Sequence, residues 1–505
     1  MNVKEKPVEP TWAERLNAIE EEVGELYLMD SVPWVLGYSG GKDSTAVVQL
    51  VWNALAKIDP KKLKKTVHVI STDTLVENPV VAKWVTSSLK RIEDAAQKEK
   101  LPIASHRLMP RVEDSFWTNL IGKGYPAPRH KFRWCTERMK IDPSNAFIHK
   151  IVKKNGQAML ALGTRKAESS TRHAVMNRIR KQAEKYSLQE RINPNLSLPG
   201  TNVYTPIEDW SNDEVWMYLM ENKNPWGHDN KALLNMYQGA SPDGECPLVV
   251  DTSTPSCGDS RFGCWVCTLV DKDKSMSAMI QNRDESDWML PLLEFRNNYL
   301  DFRPADGSKE EQTDRERRDF RRINGSLTLH RDRLVHGPYT QESRKELLFE
   351  LLKAQKIVRE LGEENNVEHA ANLELITMNE IEEIRRIWIE EKHEIEDLLP
   401  SIYKDATGEK YPGKELKENL LFSKDDLQLL DKTCEDDRMQ YETIRNLLDL
   451  ERRYRTKARR SGLLEDIEKT LKRSYFENEE DALEWAFKKA GKNNPESEDA
   501  EASVA

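Results

Sequence analysis

SGGKDST, Ser39 to Thr45, follows the apolar run 32–36 and opens an apolar-periodic stretch over 46–55. A strand, a glycine turn and a helix start in that order aim several backbone N–H groups at one point, which makes a cradle for an anion such as phosphate. Gly40 and Gly41 let the backbone approach the anion with no Cβ in the way, Lys42 adds a compact positive charge, and Ser39 and Ser44 offer hydroxyl donors. The stretch is not a Walker A motif. Asp43 rather than Ser or Thr follows the lysine, and no glycine stands five residues before Gly41. An ordinary glycine turn at a helix start is the plain alternative.

A chain of 505 residues exceeds what one core usually organises, so two or three domains are expected. Charged residues make up 32% and hydrophobic residues 38%, and no stretch approaches the roughly 20 apolar residues of a membrane span. Residues 1–10 carry Lys and Glu and no apolar core, which is no signal peptide, so a cytoplasmic protein without a membrane partner is expected. The net charge of −10 argues against whole-surface attraction to nucleic acid and leaves local basic patches open. Four of the six cysteines, Cys246, Cys257, Cys264 and Cys267, crowd into one segment. In a reducing compartment such crowding reads as metal or cluster ligation before disulfides.

Taken in order, Thr11 and Glu14 form a capping box, and Trp12, Leu16, Ile19, Val23, Leu26 and Tyr27 recur at helical spacing, a helix expected to pack beside the first strand. The β-branched run 66–71 ends in Thr72 and Asp73, and Glu77-Asn78-Pro79 restarts a helix toward Lys98, a βαβ unit that favours a parallel sheet. Ligands of such sheets sit beyond the strands' carboxyl ends, which puts Asp73 where a nucleoside would lie; a helix cap is its bland alternative. A third strand is expected over 101–106 and a buried one over 158–163. The segment 122–143, rich in Gly, Pro, Arg and Lys around Cys135, reads as a loop leading into a short helix.

SGGKDS resembles the PP-loop of the ATP pyrophosphatases, which implies that pyrophosphate leaves whole and that the nucleotide product is AMP. Asp73-Thr74 matches the DT pair of the PP-loop reductases, and Gly163, Arg165, Glu168, Ser169 and Arg172 match their GxRxxES…R pattern. Arg165 and Arg172 can fork onto phosphate oxygens as lysine cannot; a solvated charged loop is the alternative. The stretch 206–219 resembles the ending of the family's catalytic domain, and its apolar residues read as core.

The four clustered cysteines leave 10, 6 and 2 residues between neighbours and close with a CXXC, which suits one tetrahedral zinc or one cubane cluster. Spacing alone does not choose between them. The flanks Gly258, Gly263, Trp265 and Val266, together with the clusters held by some PP-loop thiolation enzymes and reductases, favour [4Fe–4S]. With CGDSRFGCWVCTLV over 257–270, the chain resembles the DNA phosphorothioation sulfurtransferases of the DndC family, relatives of the phosphoadenylyl-sulfate reductases.

That resemblance implies an α/β, parallel-sheet, adenine-nucleotide α-hydrolase-like (PP-loop) domain at 31–240 behind a helix at 1–30. A cluster segment at 241–275, a helical region at 276–490 and a disordered tail at 491–505 follow. It also implies ATP with Mg²⁺, a [4Fe–4S] cluster, DNA as substrate, a cysteine desulfurase as sulfur donor and further phosphorothioation proteins as partners. Lys42, Asp43, Arg165 and Arg172 would serve adenylylation at a loop formed by Ser39, Gly40, Gly41 and Ser44. Cys135 would relay sulfur, its thiol pKa lowered by Arg133, Arg138 and Lys140, unless it only packs. The basic runs 314–322 and 452–460, with Phe320 and Tyr454, suit a phosphodiester backbone and exposed bases, or equally a salt-bridged helix. An adenylyl-sulfate-type reductase is disfavoured because no cysteine follows Cys434; a tRNA thiolase and a nucleotide-gated DNA-binding subunit stay open.

Overall fold

The computed structural model describes residues 10–129, 132–168, 191–195, 197–240, 262–270, 272–282, 284–301, 314–413, 424–435, 437–455, 457, 459–473, 475–476 and 478–491. They fall into two compact units, one drawn from 1–110, 133–267 and 272–287, the other from 111–132, 268–271 and 288–505.

In the first unit, α1 (Trp12–Met29) starts at the Thr11–Glu14 capping box and buries Ile19, Val23, Leu26 and Tyr27. It lies along α2 (Lys42–Ala56), and Tyr27 sets its ring edge-on to Trp34 of β1 (Trp34–Gly37). Then come β2 (Val67–Thr72), α3 (Pro79–Glu99, capped by Asn78 with Pro79 at its first position), and β3 (Ile103–Leu108). After α4 (Trp134–Thr136) and α5 (Asp142–Asn155) the chain adds β4 (Ala158–Ala161), β5 (Ile192–Pro194) and β6 (Thr201–Tyr204).

The sheet order is β3-β2-β1-β4-β6-β5, all neighbours parallel except β5 against β6. The chain builds outward from β1 to β3 and then resumes on the other side of β1 with β4. Their carboxyl ends therefore splay into the crevice where open α/β sheets bind ligands. Val35, Ile70, Leu160 and Ile148 share a buried core beneath that crevice. The expected parallel α/β architecture is found. The antiparallel edge strand β5 gave no sequence signal.

In the second unit, residues 118–122 form one wide helical turn whose apolar side chains are buried. Trp117 donates its indole N–H to Leu375 O (2.6 Å), and Trp388 donates to Ile121 O (3.0 Å). Residues 111–132, placed by sequence within 31–240, thus belong to this unit, against the helices Gln341–Glu364 and Met378–Glu390. The basic runs are laced into ion pairs. Arg318 meets the buried Asp314 (3.2 Å), Arg321 meets Asp319 (2.8 Å), and Arg452 and Arg453 both hold the buried Asp449 (2.6 and 3.0 Å). Tyr454 is buried and donates to Asp466 (2.7 Å), while Phe320 packs against a cluster around Leu334 and Phe476. Of the two readings of these runs, the salt-bridged one describes these residues. Among the described residues no helix is long and apolar enough to cross a membrane.

Two measurements probe the first unit. Leu36→Ala, in the fully covered central strand, is expected to cost about 3 kcal/mol in urea unfolding followed by tryptophan fluorescence. On β2 and β3, His68 Nδ1 and His106 Nε2 lie 3.0 Å apart with Phe147 against both rings. Burial, then His106 and Lys154, lowers the His68 pKa from 6.5 to about 4, and burial lowers that of His106 despite the opposing pull of Glu93. Below 6.5 the unfolded chain takes up protons that the folded pair refuses, so stability present at neutral pH is lost as pH falls toward 4. The urea midpoint should drop between pH about 7 and about 5, and less so in His68→Gln.

Candidate active site

The crevice is a cleft of about 1040 Å³ whose floor is the loop between β1 and α2. Gly40 has φ of +75°, and a Cβ there would stand 2.5 Å from Val85 Cγ2, so both turn and space require glycine. Its carbonyl accepts the Trp84 indole N–H at 3.1 Å. The Ser39 N–H donates to Ser44 Oγ (3.2 Å), and Thr45 Oγ1 donates back to Gly41 O (2.9 Å), closing the loop onto the first turn of α2. One carboxylate organises the charges: Asp43 takes Lys42 Nζ on Oδ2 (3.2 Å) and Arg165 Nε on Oδ1 (2.6 Å). Arg165 is 4% exposed and also donates to Trp210 O (3.2 Å). Gly163, just after β4, comes so near that a Cβ on it would lie 2.8 Å from the Asp43 carbonyl.

Sulfur lies beside two residues of the lining, Glu77 and Lys140. Residues 262–267 run beside 76–78, with Asn78 N–H on Gly263 O (3.2 Å) and Trp265 N–H on Val76 O (3.0 Å). Glu77 Oε1 gathers Lys140 Nζ (3.1 Å), the Thr74 hydroxyl (3.1 Å) and the Cys264 thiol (3.8 Å), and both Glu77 and Lys140 line the cleft. Burial, then Glu77, pushes the Cys264 thiol up to about 12, with Lys140 pulling the other way. Burial alone would lower Lys140, but Cys264 and Glu77 outweigh it and hold the ammonium protonated. Cys267 closes a turn on Cys264 O (3.0 Å) and lies within electrostatic reach of Cys135.

The structure gathers Ser39, Gly41, Lys42, Asp43, Ser44, Asp73, Gly163 and Arg165 around one cleft. Asp73 does more than line it. Its Oδ1 accepts Leu75 N–H (2.7 Å) and its Oδ2 takes the Arg107 guanidinium (2.9 Å from Nε). Ser169, Arg172, Cys246 and Cys257 lie outside the described residues. One expectation is corrected. The Cys135 thiol is raised, not lowered, because burial and then Cys267 outweigh the nearby Arg133. Among the described residues no three His, Cys, Asp or Glu side chains are grouped to hold a metal ion. The donor chemistry nonetheless fits a soft metal centre, since Cys264 and Cys267 share one turn flanked by buried Trp265 and Val266, with Cys135 nearby. Sequence reading missed Glu77 and Tyr237, the first hidden in a helix-capping ENP and the second in an unremarkable helix.

Residues 33–269 match the family described as phosphoadenosine phosphosulfate reductase domain. That stretch of the chain, a little under half of it, is what resembles the reductases. An uncharacterised protein of Methanocaldococcus jannaschii is 28% identical over 194 residues, 38% of this chain. The match spans about a third, 32%, of that curated relative's length. Among solved structures, a phosphoadenylyl-sulfate reductase from Candida auris aligns with 45% of this chain and 93% of its own at 13% identity and a TM-score of 0.26. The U34-tRNA thiolase NcsA from Methanococcus maripaludis, solved with its [4Fe-4S] cluster, aligns with 57% and 80% at 14% identity and 0.27.

Within this stretch, Gly163→Ala should push the loop aside and lower stability by about 1–3 kcal/mol in urea unfolding. Gly263→Ala, where a Cβ meets nothing within 4 Å, should leave it unchanged.

Proposed function

We propose that the protein is an ATP-dependent sulfurtransferase that adenylylates a nonbridging oxygen of a DNA backbone phosphate, releases pyrophosphate, and then places sulfur on the phosphorus with release of AMP. The observation that carries this reading is one cleft lined both by the Ser39–Ser44 loop and by Glu77 and Lys140, with Cys264 donating to that Glu77. A nonbridging phosphate oxygen is a poor leaving group, and AMP attached to it is a good one.

ATP, arriving as its magnesium complex, sets its β,γ-pyrophosphate on the loop amides and Lys42, at the positive end of α2. The DNA oxygen attacks the α-phosphorus, the bond to the β-phosphate oxygen breaks, and charge builds on the departing pyrophosphate. Lys42 offsets that charge, and Arg165 acts through Asp43, which fixes where Lys42 points. Sulfur arrives as a persulfide from a cysteine desulfurase. Its terminal sulfur attacks the DNA phosphorus, AMP leaves, and an external thiol cleaves the S–S bond, supplying the two electrons. Cys135, Cys264 and Cys267 form the sulfur-handling side. Cys264 and Cys267, with Cys246 and Cys257, would hold an iron–sulfur cluster, which supplies thiophilic metal chemistry when bound. The DNA acceptor rests on the sequence resemblance over 257–270; the adenylylating cleft rests on geometry.

Three assays test this. Lys42→Ala should reduce ATP-dependent pyrophosphate release about a hundredfold or more and abolish phosphorothioate dinucleotides in nuclease digests of cellular DNA. Thionucleosides in tRNA with none in DNA would overturn the DNA acceptor and leave the ATP chemistry standing. Anaerobically purified protein should contain iron and acid-labile sulfide that Cys264→Ser loses; one zinc per chain instead would overturn the cluster.

A further inference from the structure

Another hollow opens at the opposite end of the sheet. Pro33 and Thr66 stand just before β1 and β2, Asn155 stands shortly before β4, and all three line a pocket of about 640 Å³ at the strands' amino ends. Its charge is one-sided. Among the described residues, Lys62, Lys64, Lys65 and Lys154 line it against a single carboxylate, Asp30. Asp30 is already engaged, its Oδ1 taking Lys65 Nζ at 2.6 Å and the Val32 N–H at 2.9 Å. Lys62, Lys64 and Lys154 are exposed, and among the described residues no carboxylate pairs with them, in a chain whose net charge is −10. Lys65 is built in. Its side chain is 6% exposed, its N–H donates to the Tyr27 hydroxyl oxygen (3.2 Å), and that hydroxyl donates to Lys65 O (2.6 Å). The ammonium lies over the Tyr27 and Trp34 rings, 4.9 and 5.7 Å from their centroids. The charge of Lys154 is felt across the hollow, since after burial and His106 it lowers the pKa of His68 in the same lining.

We infer that this pocket is a binding site for a small molecule carrying two or more phosphate groups, separate from the adenylylating cleft. Ammonium groups gathered around one hollow repel one another, and a multiply charged anion among them removes that repulsion. One exposed ammonium contributes little alone, so the ligand must touch several at once, which a single charge does not do. Lys65 gives the fixed point: burial pulls its pKa down, Asp30 opposes, and an incoming anion adds to the opposing side. The volume is that of a small-molecule site, and a nucleic-acid duplex, convex along its backbone, would meet only the rim. Leu28 and Ile151 in the same lining give an organic group an apolar surface to lie on. No residue lines both this pocket and the cleft, so the inference does not depend on the proposed reaction.

The test is lysine footprinting. The full-length, anaerobically purified protein is acetylated briefly with and without inorganic triphosphate, against sulfate at equal ionic strength, and modification of each lysine is read by mass spectrometry. Triphosphate should protect Lys62, Lys64 and Lys154 several-fold and leave the exposed Lys90 and Lys231 as they were. Lys42→Ala protein should show the same protection, which separates this pocket from the Ser39–Ser44 loop. The double variant Lys62→Gln with Lys154→Gln, changed only at exposed positions, should fold normally and need about tenfold or more triphosphate to protect Lys64. ATP protecting at lower concentration than triphosphate assigns the nucleoside to the apolar surface, equal concentrations assign the phosphates alone, and either upholds the site. Equal protection by sulfate, or none by triphosphate or ATP, overturns it. Short duplex DNA that protects the three lysines at a lower phosphate-group concentration than triphosphate overturns the small-molecule assignment in favour of a nucleic-acid surface.

Discussion

Everything in the first unit depends on how closely two backbones meet. The turn after β4 touches the first turn of α2 so tightly that only hydrogen fits on Gly163 beside the Asp43 peptide. That contact exists because β1 and β4 are parallel neighbours, so the segments leaving their carboxyl ends converge. Arg165, two residues past the contact, reaches Asp43 from the side, and Asp43 in turn aligns Lys42. A buried guanidinium needs a paired carboxylate, and the carboxylate gains from lying at a helix N-terminus, so the three residues hold one another in place.

The Glu77 region follows a different logic. There Glu77 is shared by an ammonium, a hydroxyl and a thiol, and the segment carrying the thiol is fastened by backbone hydrogen bonds to the start of α3. Helix α3 also supplies Trp84, whose indole holds the Gly40 carbonyl. One helix thus supports both the Ser39–Ser44 loop and the cysteine turn.

The glycine turn between β1 and α2, the capping box at Thr11, the Asn78-Pro79 helix start and the parallel strands were legible because each rests on local backbone geometry that few residue types satisfy. Glu77 and Tyr237 were not, because their importance comes from neighbours 187 and 195 positions away, Cys264 and Lys42. The sign of the Cys135 shift was misread for a related reason: flanking arginines are visible in a sequence, and burial is not. The basic runs allowed a nucleic-acid surface and a salt-bridged helix equally, because carboxylate partners such as Asp449 for Arg452 and Arg453 are recognisable only once the helix is built.

The excursion over 111–132 has a consequence for how the molecule is made. The Trp117 indole finds its acceptor at the Leu375 carbonyl and the Ile121 carbonyl its donor at the Trp388 indole, separations of 258 and 267 residues. On the ribosome these apolar side chains emerge long before the helices that cover them. The nascent first unit must therefore carry an uncovered greasy loop while the remainder is synthesised, a window in which a chaperone has an obvious handle. For the same reason, cutting the chain after residue 287 would not liberate a self-sufficient module, because it would leave that loop permanently without its cover.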